Sequence, residues 1–284
     1  FDVNSQGELH NGVLDSSGFK MLASSLAPIL RPALRYQQDL KSSYAISSED
    51  VHNRLLYIRQ PLSSIDCEIN HAALALLGGY IRYAEGTPLR VNGQDRLIPS
   101  LSAVRTNGPT SDIADSDCYW YMLPRLQQRH LPTLIMPRVN GGSPKSVIVS
   151  EPGELVVDAN FLTFWSSDSF DEYAIAVLAL LNSSMVKLAL ESSCSILGGG
   201  ALKCEASVLK KICLPVRNAS LVDELEYLGR QLLESADEKD ELGILRRIDL
   251  AIGKSVLSDR NDSDFQAFVD RQQAELKYRL SMRG

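Results

Sequence analysis

Between Cys118 and Ser150 the chain holds no Asp or Glu, while Arg125, Arg129, Arg138 and Lys145 stand among Tyr119, Trp120, Tyr121, Gln127, Gln128, His130 and Asn140. Guanidinium and ammonium groups grip phosphates, Gln, Asn and Arg read base edges, and an aromatic ring fills the gap left by a displaced base. The window therefore has the composition of a nucleic-acid contact. Arginine with aromatics also serves protein interfaces, so on this window alone both uses stand.

Other chemistries have less to work with. Gly253-Lys254-Ser255 lacks the upstream glycine of a phosphate loop, since Ile248 occupies its place, and it lies within a helical pattern. Ser184-Met185-Val186-Lys187 matches an S-x-x-K string but has neither an S-D-N nor a K-T-G companion. The four histidines, His10, His52, His71 and His130, never pair at i, i+4. Asp112, Asp115 and Asp117 form an acidic group that reads as a solvated loop before it reads as a divalent-ion site. Cys67, Cys118, Cys194, Cys204 and Cys213 are odd in number and contain no C-x-x-C pair, so they read as small buried hydrophobes of a reducing cytoplasm.

Twenty-nine basic against 35 acidic side chains give a formal net charge of −6, which excludes a uniformly cationic coat and leaves room for a local basic face. With 284 residues, 44% apolar and 23% charged, the chain is long enough to bury a core without disulfide or metal staples. No apolar stretch approaches the length of a membrane span. The first residue is Phe1 and no signal-peptide pattern follows, so the chain reads as a piece of a longer polypeptide.

The elements that must position the basic window follow from periodicity. Phe19, Leu22, Leu26, Ile29, Leu30, Ala33 and Leu34 recur at helical spacing broken by Pro28 and Pro32, which predicts a broken helical hairpin over 16–42. Leu55 to Ile58 reads as a strand and Ile65 to Glu85 as a helix. Residues 86–118, rich in Gly, Pro, Ser, Thr, Asn and Asp, read as a long surface loop. Short runs at 134–136, 146–149, 155–157 and 161–165, parted by Gly141-Gly142, Pro144 and Pro152-Gly153, have the spacing of an antiparallel meander. A strongly apolar helix over 173–190, the triplet Gly198-Gly199-Gly200 and a short helix at 205–211 follow. From Ser220 two or three helices with solvated faces complete the chain, with Ser220 and Ser263 as caps. The fold class is α+β: short antiparallel strands packed with helices, then a C-terminal helical segment. Its expected parts are a helical lead-in at 1–60, an α+β domain at 61–218 and the helical segment at 219–284.

Taken in order, several strings carry a resemblance. They are Tyr119 to Pro124, Leu134 to Arg138, Val156 to Trp165 with Asn160, Leu180-Leu181-Asn182-Ser183-Ser184, Leu197-Gly198-Gly199-Gly200-Ala201-Leu202-Lys203, and Leu209 to Val216 with its Leu-Pro-Val ending. This succession, over roughly residues 65–216, resembles the target-recognition region of adenine-specific DNA methyltransferases. In bacterial restriction-modification and phage-defence enzymes that region lies C-terminal to the catalytic domain. The resemblance implies that a separate S-adenosylmethionine-dependent domain flips and methylates an adenine while the 61–218 domain selects the sequence. The Asn/Asp-Pro-Pro-Tyr/Phe motif and the glycine-rich cofactor strand of that family are missing here, and the chain contains no Pro-Pro. The expectation is thus a reader without a writer: no catalytic residue, cofactor or metal site in this chain, S-adenosylmethionine in the catalytic domain outside it, and as partners duplex DNA and that methyltransferase domain or subunit, without a membrane.

Within that picture Arg138 and Asn140, bracketing the turn Asn140-Gly141-Gly142, would present side chains where glycines let the backbone approach a groove. Arg125, Arg129 and Lys145 would hold phosphates, and Gln127 or Gln128 would pair with adenine. Trp120 and Tyr121 serve either DNA or the core. Gly199, with its flanking glycines, and Lys203 would meet the DNA backbone, or else act as a helix cap and linker. Arg105 is a second-rank contact together with Arg90, Arg96 and Asn107. The alternative is a protein-protein interaction scaffold that binds no DNA. An intact small enzyme has the least to support it, because no triad, metal cluster or phosphate loop is visible.

Overall fold

The computed structural model describes residues 1–40, 43–65, 69–105, 107, 119–165, 170–212, 219–257 and 261–283. They form an α+β protein, about 51% helix and 18% strand, ending in a helix over 262–283. Contacts divide the chain into two units, Phe1–Leu34 with Ser48–Gln127 and Glu154–Val156, and Arg35–Ser47 with Gln128–Gly153 and Val157–Gly284. Each has its own apolar core.

In the first unit, Asn11 opens helix α1 (Gly12–Ser17) by accepting from the amides of Val13 and Leu14, and Gly18 closes it at φ +75°. Helix α2 (His71–Gly86) starts after Asn70, whose side chain accepts from Ala72 N, and buries Leu77, Tyr80, Ile81 and Ala84. Two of the expectations are corrected here. The hairpin of helices over 16–42 is replaced by a 3-10 turn at Ala23–Ile29 and a strand at Leu30–Leu34, which pairs antiparallel with Arg54–Leu56. Pro28 and Pro32 stop the backbone ladder that the apolar spacing would otherwise support. Part of the long loop is also regular: Pro88–Val91 and Gln94–Leu97 make a hairpin, followed by the one-turn helix α3 (Ser102–Arg105). Its turn is Asn92-Gly93, both at positive φ, the conformation that a two-residue hairpin loop demands. Residues 108–118 of that loop, including Asp112, Asp115, Asp117 and Cys118, lie outside the described residues.

The second unit is built on a four-stranded sheet in the order Phe161–Phe164, Leu134–Pro137, Val147–Val149, Ala45–Ile46. The first three strands are antiparallel, as expected, whereas Ala45–Ile46 joins in parallel, and Val156–Val157 stands outside this sheet. A second, three-stranded sheet runs Ser195–Ile196, Leu202–Lys203, Val139–Asn140. The single apolar helix expected over 173–190 is two helices, α4 (Phe170–Asn182) and α5 (Ser184–Ser193), bent by 63°. Asn182 turns its side chain onto Ser146, donating to its carbonyl and accepting from its amide, both at 3.0 Å. Ser183 then caps α5 by accepting from Val186 N. Helix α6 is one turn (Ala206–Leu209), and α7 (Ala219–Leu233), α8 (Glu238–Val256) and α9 (Asp262–Arg283) complete the chain. Asn261, not Ser263, accepts from Asp264 N at the start of α9.

Leu178, Leu180, Leu181, Leu225, Leu228, Ile248 and Ile252 share one core with Leu134 and Met136 of the sheet. Helices α4 and α7 approach closely at Gly229, where a Cβ would lie 2.6 Å from the carbonyl oxygen of Ile175. Among the described residues no single helix is long and apolar enough to cross a membrane.

Candidate functional site

The three-stranded sheet of the second unit brings two glycine turns together. Strand Val139–Asn140 runs into Gly141-Gly142, and the hairpin between Ser195–Ile196 and Leu202–Lys203 is closed by Gly198-Gly199-Gly200. Pairing Leu202 with Asn140 and Lys203 with Val139 sets the turns on one small platform. Gly199 and Gly200 stand at φ +92° and +80°, where a side chain would be strained. At Gly141, Gly142, Gly198 and Gly199 a Cβ would meet nothing within 4 Å. Packing inside the chain does not demand glycine there. Nor do the amides of these four residues find an acceptor among the described residues, whereas Gly200 N donates to Leu197 O at 3.0 Å.

What fixes the turns relative to one another is Arg283, at the end of α9. Its guanidinium donates to the carbonyls of Asn140 (3.2 Å), Gly142 (2.8 Å) and Gly200 (3.2 Å), and lies 2.9 Å from the carboxylate of Glu191 on α5. Both side chains are buried, at 4% and 2% exposure. Burial pushes the Glu191 carboxyl upward, against the pull of Arg283 and Arg279. Nothing in the sequence pattern announced this staple: its two members stand far apart along the chain and match no motif.

At the base of the hairpin Lys203 pairs with Glu205 at 2.8 Å, and Arg138 acts on the same carboxylate. The hydrogen bond and charge of Lys203 hold the Glu205 carboxyl below its ordinary range. Arg138 is half-buried, and its Nε has no hydrogen-bond partner among the described residues. Asn140 is buried at 3% exposure, with its amide donating to Pro137 O at 2.8 Å. Its side chain shapes the turn and does not reach outward. Ile196, 61% exposed, with Leu197 and Val139 gives the platform an apolar rim that the sequence reading did not single out.

The remaining candidates lie elsewhere. Lys145 sits 3.7 Å over the ring of Tyr44, beside a polar pocket of about 570 Å³ that Glu241 also lines. Tyr44 donates to Glu241 at 2.5 Å, and burial, then that hydrogen bond, lifts its phenol above the usual range. Gln128 and Arg129 are exposed on a 3-10 turn, with Arg129 Nε 3.1 Å from His130 Nε2. Arg125, Gln127, Trp120, Tyr121 and Arg105 belong to the first unit. Arg125 and Gln127 are exposed there. Trp120 and Tyr121 pack edge to face at 6.0 Å against that unit's core, and the Tyr121 hydroxyl accepts from Leu62 N. Arg105 closes α3.

A second polar cluster ties α5, α8 and α9. Buried Asp249 accepts from the amide and hydroxyl of Ser184 (2.8 and 2.7 Å) and from Gln273 (3.0 Å). Lys187 is buried beside it, and burial brings its ammonium down to about 8 against the pull of Asp249 and Glu241. The Ser184 hydroxyl of the S-x-x-K string is thus spent on a helix-to-helix contact. No protein-family model matches the chain, and no curated protein matches it.

Proposed function

We propose that this chain recognises duplex DNA, as the target-recognition portion of an S-adenosylmethionine-dependent adenine DNA methyltransferase, working in the cytoplasm beside a catalytic domain that supplies cofactor and chemistry. The observation that carries the reading is the pair of stapled turns, in which the amides of Gly141, Gly142, Gly198 and Gly199 have no acceptor among the described residues and a Cβ at each would meet nothing within 4 Å. Backbone N–H groups at open turns are phosphate donors, and a fixed spacing between two such turns sets register on a duplex. Arg138 and Lys203 stand at the foot of those turns and add charge, partly offset by Glu205. Affinity should therefore be modest and salt-sensitive.

The exposed apolar rim of Ile196, Leu197 and Val139 favours the second reading, a surface for a protein partner. Titrating labelled random duplex against the full chain at two salt concentrations separates them. Phosphate contact gives weaker binding at the higher salt, and Arg138→Ala weakens binding at both and reduces the salt slope by about one. Binding that ignores salt, or no retention of any duplex, would leave the protein-partner reading standing alone.

A further inference from the structure

The hairpin that carries Gly198-Gly199-Gly200 is bounded by two thiols. The register Ser195↔Lys203 and Ile196↔Leu202 sets Cys194 directly opposite Cys204. Neither cysteine uses its amide across this pair: Cys194 N donates back to Leu190 O at 2.8 Å, and Cys204 N donates to Arg138 O at 2.7 Å on the other neighbouring strand. They therefore occupy a non-hydrogen-bonded position of an antiparallel ladder. There Cα atoms approach to about 4.5 Å, within the roughly 4.4–6.8 Å that a disulfide spans. The two side chains already share a hydrogen bond. Cys194 is half-buried and Cys204 is buried.

We infer that Cys194 and Cys204 form a redox modification site, a reversible cross-strand disulfide that locks the base of the glycine hairpin. With a low-molecular-weight disulfide such as glutathione disulfide as oxidant, the accessible Cys194 thiolate attacks one sulfur and displaces a glutathione thiolate, which takes up the proton Cys194 has given up. Cys204 then attacks Cys194 Sγ and expels the second glutathione. Two protein thiols are oxidised to one disulfide, and one glutathione disulfide is reduced to two glutathione thiols. Burial raises both thiols, so neither rests as a thiolate and the exchange is slow under a reducing poise. A closed bridge would hold the two strands together below Gly198–Gly200 and restrict the turn, while Asn140, whose amide lies 3.8 Å from Cys204 Sγ, stays in contact.

The test uses the full chain, reduced and then equilibrated in glutathione buffers of increasing disulfide content, quenched with acid, alkylated and mapped by peptide mass spectrometry. It is run in parallel on a variant with Cys67, Cys118 and Cys213 replaced by Ser. The expected product in both is a Cys194–Cys204 linkage lighter by two hydrogens, resistant to alkylation and reversed by dithiothreitol. Cleavage by a broad-specificity protease within residues 197–201 should slow several-fold in the oxidised form. Cys194→Ser, at the half-buried position, should abolish the linkage without changing the urea midpoint of the reduced protein. Accumulation of a Cys194–glutathione adduct without closure, or free thiols where the buffer oxidises a reference dithiol, overturns the site. Unchanged cleavage of the linked form overturns the locking. Neither readout involves DNA, so the result stands apart from the proposed function.

Discussion

Two buried charged groups in the second unit solve the same problem differently. Arg283 is met on several sides, by Glu191 and by the carbonyls of Asn140, Gly142 and Gly200. Lys187 has the carboxylates of Asp249 and Glu241 in its field, yet Asp249 accepts its hydrogen bonds from Ser184 and Gln273, and burial lowers the ammonium to about 8. A guanidinium delocalises its charge over a planar fork that several acceptors can share, whereas an ammonium is a hydrated point charge that sheds its proton when desolvated. The difference maps onto what each group touches. Arg283 holds the backbone of the two glycine turns, and Lys187 lies among helices.

Removing Arg283 should therefore cost most. Arg283→Met leaves Glu191 buried without its cation and three carbonyls without a donor, a loss of about 3–5 kcal/mol in urea unfolding. Arg283→Met combined with Glu191→Leu should recover much of it, because no isolated charge remains. A single-variant loss below about 1 kcal/mol would mean that the pair behaves like an exposed one. Asp249→Ala comes next, at about 2–3 kcal/mol, since it orphans the Ser184 amide and hydroxyl at the start of α5 and removes a carboxylate beside Lys187.

The pH dependence sharpens the contrast. Lys187 titrates near 8 in the folded chain against 10.5 for an ordinary lysine. Below pH 8 both states carry the proton and the cost of the buried ammonium is present. Between pH 8 and 10 the folded chain releases the proton while the unfolded chain keeps it, so stability rises, by up to about 1.4 kcal/mol per pH unit at the steepest. Above pH 10 Tyr44 opposes the trend, because its raised phenol stays protonated after the unfolded one ionises. Asp249, Glu241 and Lys145 share the field of Lys187. Cys194 and Cys204 keep their protons in the folded chain while unfolded thiols ionise in this window, which lowers stability in parent and variant alike. Chemical denaturation across pH 7–10 should therefore show the parent chain gaining stability relative to Lys187→Met as pH rises; a difference that stays flat or shrinks contradicts the assignment.

How much of this was legible depends on whether the signal was local. The strands at Leu134–Pro137, Val147–Val149 and Phe161–Phe164 follow from short β-branched and aromatic runs, and the three last helices from apolar spacing. Over 16–42 the same helical spacing misled, because Pro28 and Pro32 decide the backbone before side-chain period does. The Asn92-Gly93 dipeptide signals the hairpin, although its polar surroundings read as loop. In the candidate site, glycines and basic residues stood out by composition, yet composition cannot tell an outward Asn140 from one turned onto Pro137 O. The Arg283 staple is invisible to any local reading, since it is made by tertiary contact across about half of the chain.

The smallest effects on stability discriminate most sharply between the two readings of the platform. Lys203 is exposed and paired with an exposed Glu205, and Ile196 is the most exposed apolar residue of its sheet, so neither Lys203→Ala nor Ile196→Ser should move the urea midpoint measurably. Their effects on binding should diverge. If the turns meet phosphates, Lys203→Ala lowers duplex affinity uniformly across sequences and reduces the salt slope by about one, while Ile196→Ser leaves that slope unchanged because it removes no charge. If the rim meets a protein, Ile196→Ser abolishes partner capture and Lys203→Ala barely alters it, since apolar anchors at the centre of an interface outweigh charges at its edge. Equal salt slopes in the parent chain and Lys203→Ala would remove Lys203 as a phosphate contact.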